Sequence, residues 1–189
     1  MFSQRAIAQV VARLLRPLLC LFFERRYLTG RFFDDGMGGY VWAVRAIWLR
    51  NVLRMAPPRP WPMSVQCTVS APGNLTFHPD DLNNFQSPGT YFQNPDAHIT
   101  IGRGTYIAPN VGIITANHAR GDLERHETAR DVVLGERCWI GMNAVILPGV
   151  ILGPDTVVAA GAVVTRSYPD GGATLAGVPA TPLRDRPLA

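Results

Sequence analysis

Leu134-Gly-Glu-Arg-Cys-Trp, Ile140-Gly-Met-Asn-Ala-Val, Ile146-Leu-Pro-Gly-Val-Ile, Leu152-Gly-Pro-Asp-Thr-Val, Val158-Ala-Ala-Gly-Ala-Val and then Val164 divide into units of six. An aliphatic residue opens every unit, and a small residue often follows it, as at Gly135, Gly141, Gly153 and Ala159. Four places after the aliphatic stands a second small or β-branched residue in most units: Ala144, Val150, Thr156 and Ala162. A helix repeats about every 3.6 residues and a strand about every two, so neither produces this pattern. A fixed short period is the mark of stacked structural repeats. If each unit is one short flat strand plus a corner, three units close a triangular coil and the opening aliphatic points inward. The small residue beside it fits a corner where a Cβ would crowd the backbone. Successive coils then pair through parallel main-chain hydrogen bonds, each covering its neighbour's edge. The period predicts a mainly β chain folded as a parallel β-helix.

Outward from this stretch, clean hexads run back through Ile101-Gly-Arg-Gly-Thr-Tyr and Ile107-Ala-Pro-Asn-Val-Gly to Ile113. Continuing the count would place Ala119, Arg125 and Asp131 inward, and a dry core does not take two unpaired charges. The aliphatic phase resumes only at Leu134, off register by three. An extruded loop is therefore expected near residues 115–132. It holds His118 and His126, two of the four histidines. Loops carried on a rigid scaffold are where chemistry tends to sit. Imidazole is the side chain suited to take a proton near neutral pH, which marks His118, the first titratable group past the regular coil, as a candidate base. His126, His98 and His78 are read as surface residues. From Val65 to Tyr91 the period is imperfect, as in entry coils with insertions.

The 189 residues suffice for one domain plus an appendage, and 47% apolar with 17% charged residues describe a globular chain. The net charge is +4, and every one of the eighteen basic residues is Arg. That mild bias suits a phosphate-bearing ligand or an anionic membrane and is too weak to indicate nucleic acid. Cys20, Cys67 and Cys138 are odd in number and far apart, so free buried thiols in a reducing, cytoplasmic compartment are expected.

The first 62 residues read as a helical segment closed by the Pro-rich linker Ala56-Pro-Pro-Arg-Pro-Trp-Pro62, with the β-helix domain at 63–189. On a helical wheel Arg5, Gln9, Arg13 and Arg16 share one side, and aliphatic residues occupy the rest. Pro17 ends or kinks that helix. The apolar run is shorter than the roughly 20 residues a membrane span needs, and Arg13 and Arg16 interrupt what a secretory signal would keep apolar. Two readings stay open: a basic amphipathic helix lying peripherally on the inner face of a membrane, or a helix packed on the β-helix or a neighbouring subunit. Residues 39–55 read as a second helix. Its Arg45, Arg50 and Arg54 share no face and suggest no partner, and Trp42 and Trp48 are read as packing residues.

The run Ile107-Ala-Pro-Asn-Val, Thr115-Ala-Asn-His118, Val133-Leu-Gly, Cys138-Trp-Ile-Gly, Val145-Ile-Leu-Pro-Gly-Val-Ile-Leu-Gly, Ala159-Ala-Gly-Ala-Val-Val-Thr-Arg and Ala176-Gly-Val-Pro-Ala180 closely resembles the hexapeptide-repeat acyltransferases. More narrowly it is similar to sugar O-acetyltransferases of the galactoside, maltose, nodulation and capsular-polysaccharide type, over about residues 91–184. The resemblance implies a left-handed β-helix, a homotrimer with active sites between subunits, acetyl-CoA as co-substrate and a carbohydrate acceptor. It carries His118 onto the family's general base, and Gly141 and Met142 onto the turn whose backbone N–H serves as oxyanion donor. Trp139, Ala159 and Ala160 correspond to the pantetheine groove, and Thr165, Arg166 and Arg184 to the nucleotide end. Gln93 and Asn94 fall near the acceptor-contacting Asn, with Asn117 beside the base.

The function expected is acetyl-CoA-dependent O-acetyl transfer to a sugar or surface-polysaccharide hydroxyl, with no covalent enzyme intermediate and no metal. Two alternatives remain: N-acyl transfer to an amino sugar, and a non-catalytic β-helix scaffold. A γ-class carbonic anhydrase would need a second histidine five places after His118, where Leu123 stands.

Overall fold

The computed structural model describes residue 10 and residues 14–183. Most of the basic stretch from Arg5 to Arg16, and Arg184, lie outside the described residues. The chain forms two compact units, one of residues Met1–Cys67 with Pro79–Gln86, the other of Thr68–His78 with Ser87–Ala189.

The second unit is the parallel β-helix. Its strands are β1 (Thr68–Val69), β2 (Leu75–Thr76), β3 (Tyr91–Gln93), β4 (Ile99–Ile101), β5 (Tyr106–Ile107), β6 (Gly112–Ile114), β7 (His118–Ala119), β8 (Asp122–His126), β9 (Val132–Leu134), β10 (Trp139–Ile140), β11 (Val145–Ile146), β12 (Ile151–Leu152), β13 (Val157–Val158), β14 (Val163–Val164), β15 (Thr174–Gly177) and β16 (Ala180–Pro182). They stack into three faces. The first runs β1-β3-β6-β11-β14, the second β2-β4-β9-β12, and the third β5-β10-β13-β15, with β16 closing the third antiparallel to β15. All other pairings within these faces are parallel.

Both inward positions of the hexad are filled as the period requires. Leu134, Ile140, Ile146, Leu152, Val158 and Val164 are buried, and so are Cys138, Ala144, Val150, Thr156 and Ala162 two residues before each following aliphatic. Complete burial of each aliphatic side chain is worth roughly 1.5–3 kcal/mol.

The corners impose two further demands. The fourth residue of each unit has a positive φ: Gly104, Asn110, Arg137, Asn143, Gly149, Asp155 and Gly161 lie between 54° and 83°. Gly, Asn and Asp tolerate this conformation best. The second residue is squeezed between coils. A Cβ on Gly102 would come 2.4 Å from the Gly135 carbonyl carbon, one on Gly135 2.6 Å from that of Gly153, and one on Gly141 2.6 Å from the Ala160 nitrogen. These glycines lie on the second–third and third–first corners. On the first–second corner the equivalent places hold Leu147 and Thr165, so coils there stack with less crowding.

In the first unit, residues 14–19 are helical. The second expected helix is α1 (Gly38–Ala46), prolonged by a π-helical turn, Ile47–Val52. Arg50 is 3% exposed, and its guanidinium donates to the carbonyls of Met63, Pro57, Ser64 and Cys67. That arrangement fastens the Pro-rich segment to the helix. Trp61 is fully buried, with ring centroids 5.3 Å from both Tyr27 and Phe85. Trp42 packs 4.6 Å from Phe32. Two sequence expectations differ here: Trp48 is exposed, and so is Cys20, whereas Cys67 and Cys138 are buried. Short helical pieces with few neighbours leave one side open, which local sequence does not reveal.

Candidate functional site

Between β6 and β9 the chain leaves the first–second corner as an antiparallel hairpin of β7 and β8, turning at Arg120-Gly121. Gly121 supplies a φ of +86° there, with open space around it. Every residue of β8 is exposed, Leu123 to 75%. The base of the hairpin is clamped. Gln93 accepts from the Thr115 and Ala116 amides through Oε1, its Nε2 donates to the Ala116 carbonyl, and Thr115 Oγ1 donates to the Gln93 carbonyl. The Glu127 amide donates to the Asn117 carbonyl and the Arg130 amide to that of Thr115.

His118 is the first residue of the hairpin and is exposed. Its Nδ1 lies 2.7 Å from the Leu123 carbonyl oxygen. A carbonyl can only accept, so Nδ1 donates, and in the neutral ring it is Nε2 that keeps the lone pair. The His126 ring stands across the hairpin, 4.6 Å between centroids. His98 bonds the Thr76 hydroxyl through Nε2 at 2.8 Å. No group of three or more His, Cys, Asp or Glu side chains among the described residues is placed to hold a metal ion.

Trp139 projects from β10 and is 59% exposed. Gly141 and Met142 form the third–first corner just beyond it, and Ala159 and Ala160 form the same corner one coil later. The Gly141 amide is spent on the Val158 carbonyl at 2.8 Å, and the Ala159 amide on that of Leu175. The Met142 and Ala160 amides, in the two turns, donate no hydrogen bond among the described residues. Met142 and Ala160 are exposed residues, as is Trp139. Thr165 and Arg166 are exposed and follow β14 on the first–second corner. Arg166 Nε donates to Tyr168 Oη, which donates to the Ala180 carbonyl.

The candidate residues thus divide between two corners. His118, Asn117, Thr165 and Arg166 sit on the first–second corner, with Arg166 two coils from the hairpin, about 10 Å along the axis at the usual strand spacing. Trp139, Gly141, Met142, Ala159 and Ala160 sit on the third–first corner. The breadth of the first face separates the two sets within one chain. Asn94 is brought to neither: it is fully buried, its side chain bonding the Ala71 amide and the Ala71 and Asn74 carbonyls. Gln93 reaches the hairpin only as a clamp on its backbone. Sequence reasoning missed the Leu123 carbonyl, a backbone group whose one advance sign is the Arg120-Gly121 turn that folds it back on His118.

Burial and nearby charge shape the titration of groups around this frame. Burial pushes the Cys138 thiol up, keeping it protonated beneath the third face. Arg137, in the next corner, forks onto Asp155 at 2.8 and 2.7 Å and holds that carboxyl below the usual carboxylate range.

Residues 131–166 match the family described as bacterial transferase hexapeptide (six repeats). The chain is 47% identical over 87 residues to nodulation protein L of Rhizobium meliloti, covering 44% of this chain and 47% of that protein. It is 34% identical over 93 residues to galactoside O-acetyltransferase of Escherichia coli, covering 48% and 45%. The chain thus spans about half the length of the curated relatives it matches. Among solved structures, a maltose O-acetyltransferase from Clostridium difficile is 32% identical, with a TM-score of 0.46 over 50% of this chain and 51% of that one. Through its six-residue repeat, the chain is similar to the hexapeptide-repeat transferases, the family model matching residues 131–166.

Proposed function

We propose that this protein is an acetyl-CoA-dependent O-acetyltransferase whose acceptor is a hydroxyl of a sugar or surface polysaccharide. The observation that carries the reading is the contact between His118 Nδ1 and the Leu123 carbonyl. With Nδ1–H held by the Leu123 carbonyl, Nε2 of the neutral ring is free to act as a base at the root of the hairpin, beside the first–second corner. Nε2 removes the proton of the acceptor hydroxyl as that oxygen attacks the thioester carbonyl. The tetrahedral centre then expels the CoA thiolate, which takes the proton back from Nε2. No bond to the enzyme forms, and proton and electron pair balance over the two steps. The unspent Met142 amide is the donor available to the developing oxyanion; the Gly141 amide is already engaged.

The pantetheine arm is assigned to the third–first corner, against Trp139, Gly141, Ala159 and Ala160, where the Ala160 amide can bond it. Thr165, Arg166 and Arg184 serve the phosphate end, Arg offering a planar fork of donors. Asn117 flanks the acceptor. Because base and groove occupy different corners, the reading requires a second copy of the chain, and a homotrimer with three intersubunit sites satisfies it. The sugar acceptor class is supported by the name of the galactoside relative.

The test is acetyl transfer from acetyl-CoA to candidate glycans, read by mass spectrometry, for wild type and His118→Ala. The variant should keep its melting temperature and lose about 10²- to 10⁴-fold in kcat. Unchanged turnover, or no acetylation of any hydroxyl-bearing glycan by the wild type, overturns the reading.

A further inference from the structure

Helix α1 and its π-helical continuation bury Tyr40, Ala43, Ala46 and Arg50 on one side. The opposite side is apolar as well. Val41, Val44, Trp48 and Val52 recur at spacings of three and four, and they are 61%, 58%, 56% and 56% exposed. Leu53 and Met55 carry the exposed apolar surface beyond the helix, and Leu14, Leu18, Leu21 and Phe22 add to it elsewhere in the same unit. A single exposed valine is ordinary, but a continuous stripe marks an interaction surface. A helix that is apolar on both sides calls for a low-dielectric neighbour on each.

The surrounding charge identifies the neighbour. Residues 1–67 and 79–86 hold ten arginines against five acidic residues, whereas the β-helix unit holds eight against nine. The basic excess of the whole chain therefore lies in the unit that carries the stripe. Arg45 is exposed beside Val41 and Val44, and Arg54 follows Val52. Neither side chain makes a hydrogen bond or ion pair among the described residues. At the end of the stripe, Arg50, Asn51, Arg54, Met55, Ala56, Pro57 and Pro58 line an open cavity of about 650 Å³. Arg50 is spent on backbone carbonyls there, so Arg54 is the cation left for a ligand. Apolar side chains at membrane-interface spacing, a tryptophan among them and unpartnered arginines at the margin, match the headgroup region of an anionic bilayer.

We propose that this face docks on a membrane of anionic phospholipid. Val41, Val44, Trp48 and Val52 enter the boundary between headgroups and acyl chains, and Arg45 and Arg54 bind lipid phosphate. The docking surface is independent of the catalytic reading and stands or falls separately from it.

The experiment uses the full chain with sucrose-loaded vesicles of phosphatidylcholine alone and of phosphatidylcholine with 30 mol% phosphatidylglycerol, at low salt. Wild type should sediment with the anionic vesicles and not with the neutral ones, and 0.5 M NaCl should weaken binding. Val44→Glu/Val52→Glu, both at exposed positions, should keep its circular-dichroism melting curve and bind at least about tenfold more weakly. Arg45→Ser and Arg54→Ser should each cost about fivefold. Binding by the double variant equal to wild type overturns the assignment, since another segment would then hold the membrane. Absence of wild-type binding overturns it too. So does a smaller assembly of the double variant by light scattering without vesicle binding by either protein, because the face would then join copies of the chain.

Discussion

At the residue scale, two kinds of glycine are distinguishable in the coils, and they should respond differently to one added methyl group. Gly135 sits where a Cβ would meet the backbone of the next coil at 2.6 Å, whereas Gly161 has a φ of +70° and nothing within 4 Å. Gly135→Ala should lower the free energy of unfolding by about 2–3 kcal/mol through overpacking. Gly161→Ala should cost only about 1 kcal/mol of backbone strain. Urea denaturation midpoints of the two variants separate these causes. The first demand was legible in the sequence, as the small residue after most of the aliphatics. The second was equally present in Asn110, Asn143, Asp155 and Gly149, but at a fourth position whose conformation only the folded corner reveals. Arg50 shows the opposite limit. Nothing in its neighbours announces that four backbone carbonyls converge on its guanidinium, because those carbonyls come from a segment several residues later. Arg50→Ala should destabilise by about 3 kcal/mol, leaving the carbonyls buried without donors. The Cys67 thiol nearby is pushed up to about 12 by burial, so at pH 8 it is almost wholly unionised. Iodoacetamide at that pH should modify Cys20 in the native protein and leave Cys67 unmodified until denaturant is added.

At the scale of elements, the hairpin β7–β8 and the coil corners have separate stabilities. The hairpin carries no buried side chain on β8, so its opening should leave the coil stack intact. Gly121→Val, strained at φ +86°, should therefore reduce kcat by loosening the Leu123–His118 bond while the melting temperature changes little. A parallel fall in melting temperature would mean that the hairpin is part of the cooperative core. The register break announced this element in the sequence, since Arg125 and Asp131 could not point inward. Its form as a hairpin was not announced, because β8 has no alternation to read. In the corners, Arg137 and Asp155 form an ion pair across successive coils. Asp155→Asn keeps a residue suited to positive φ and removes only the charge. The carboxyl is held below its usual range in the folded protein, so its contribution is present at neutral pH, above its unfolded value. That contribution fades as pH falls through the folded value. Wild type and variant should differ in stability at pH 7 and converge in acid, as pH-dependent urea denaturation will register.

At the scale of the molecule, the division of the candidate site between two corners makes assembly a condition of the proposed activity. His118→Ala and Ala160→Trp each damage one half of the proposed site. If the halves come from neighbouring subunits of a trimer, co-refolding the two inactive variants in equal amounts should restore about a quarter of wild-type turnover, because one interface in four then joins two intact halves. No recovery on mixing, with trimers verified by light scattering, would place both halves in one chain. The coil periodicity made the β-helix legible from sequence, and the same periodicity placed His118, the candidate base, at its interruption. Which corner each residue occupies followed only from counting strands in space.

The uncrowded bend beside the hairpin carries one last consequence. Adding or losing a single amino acid anywhere along the two glycine-lined edges throws every later coil out of step. At the remaining edge, a segment can lengthen or shrink and still hand the chain back in phase. Natural or designed variation in what this scaffold grips should therefore accumulate as changes of length at that one doorway, with the rest of the spool differing by substitution alone.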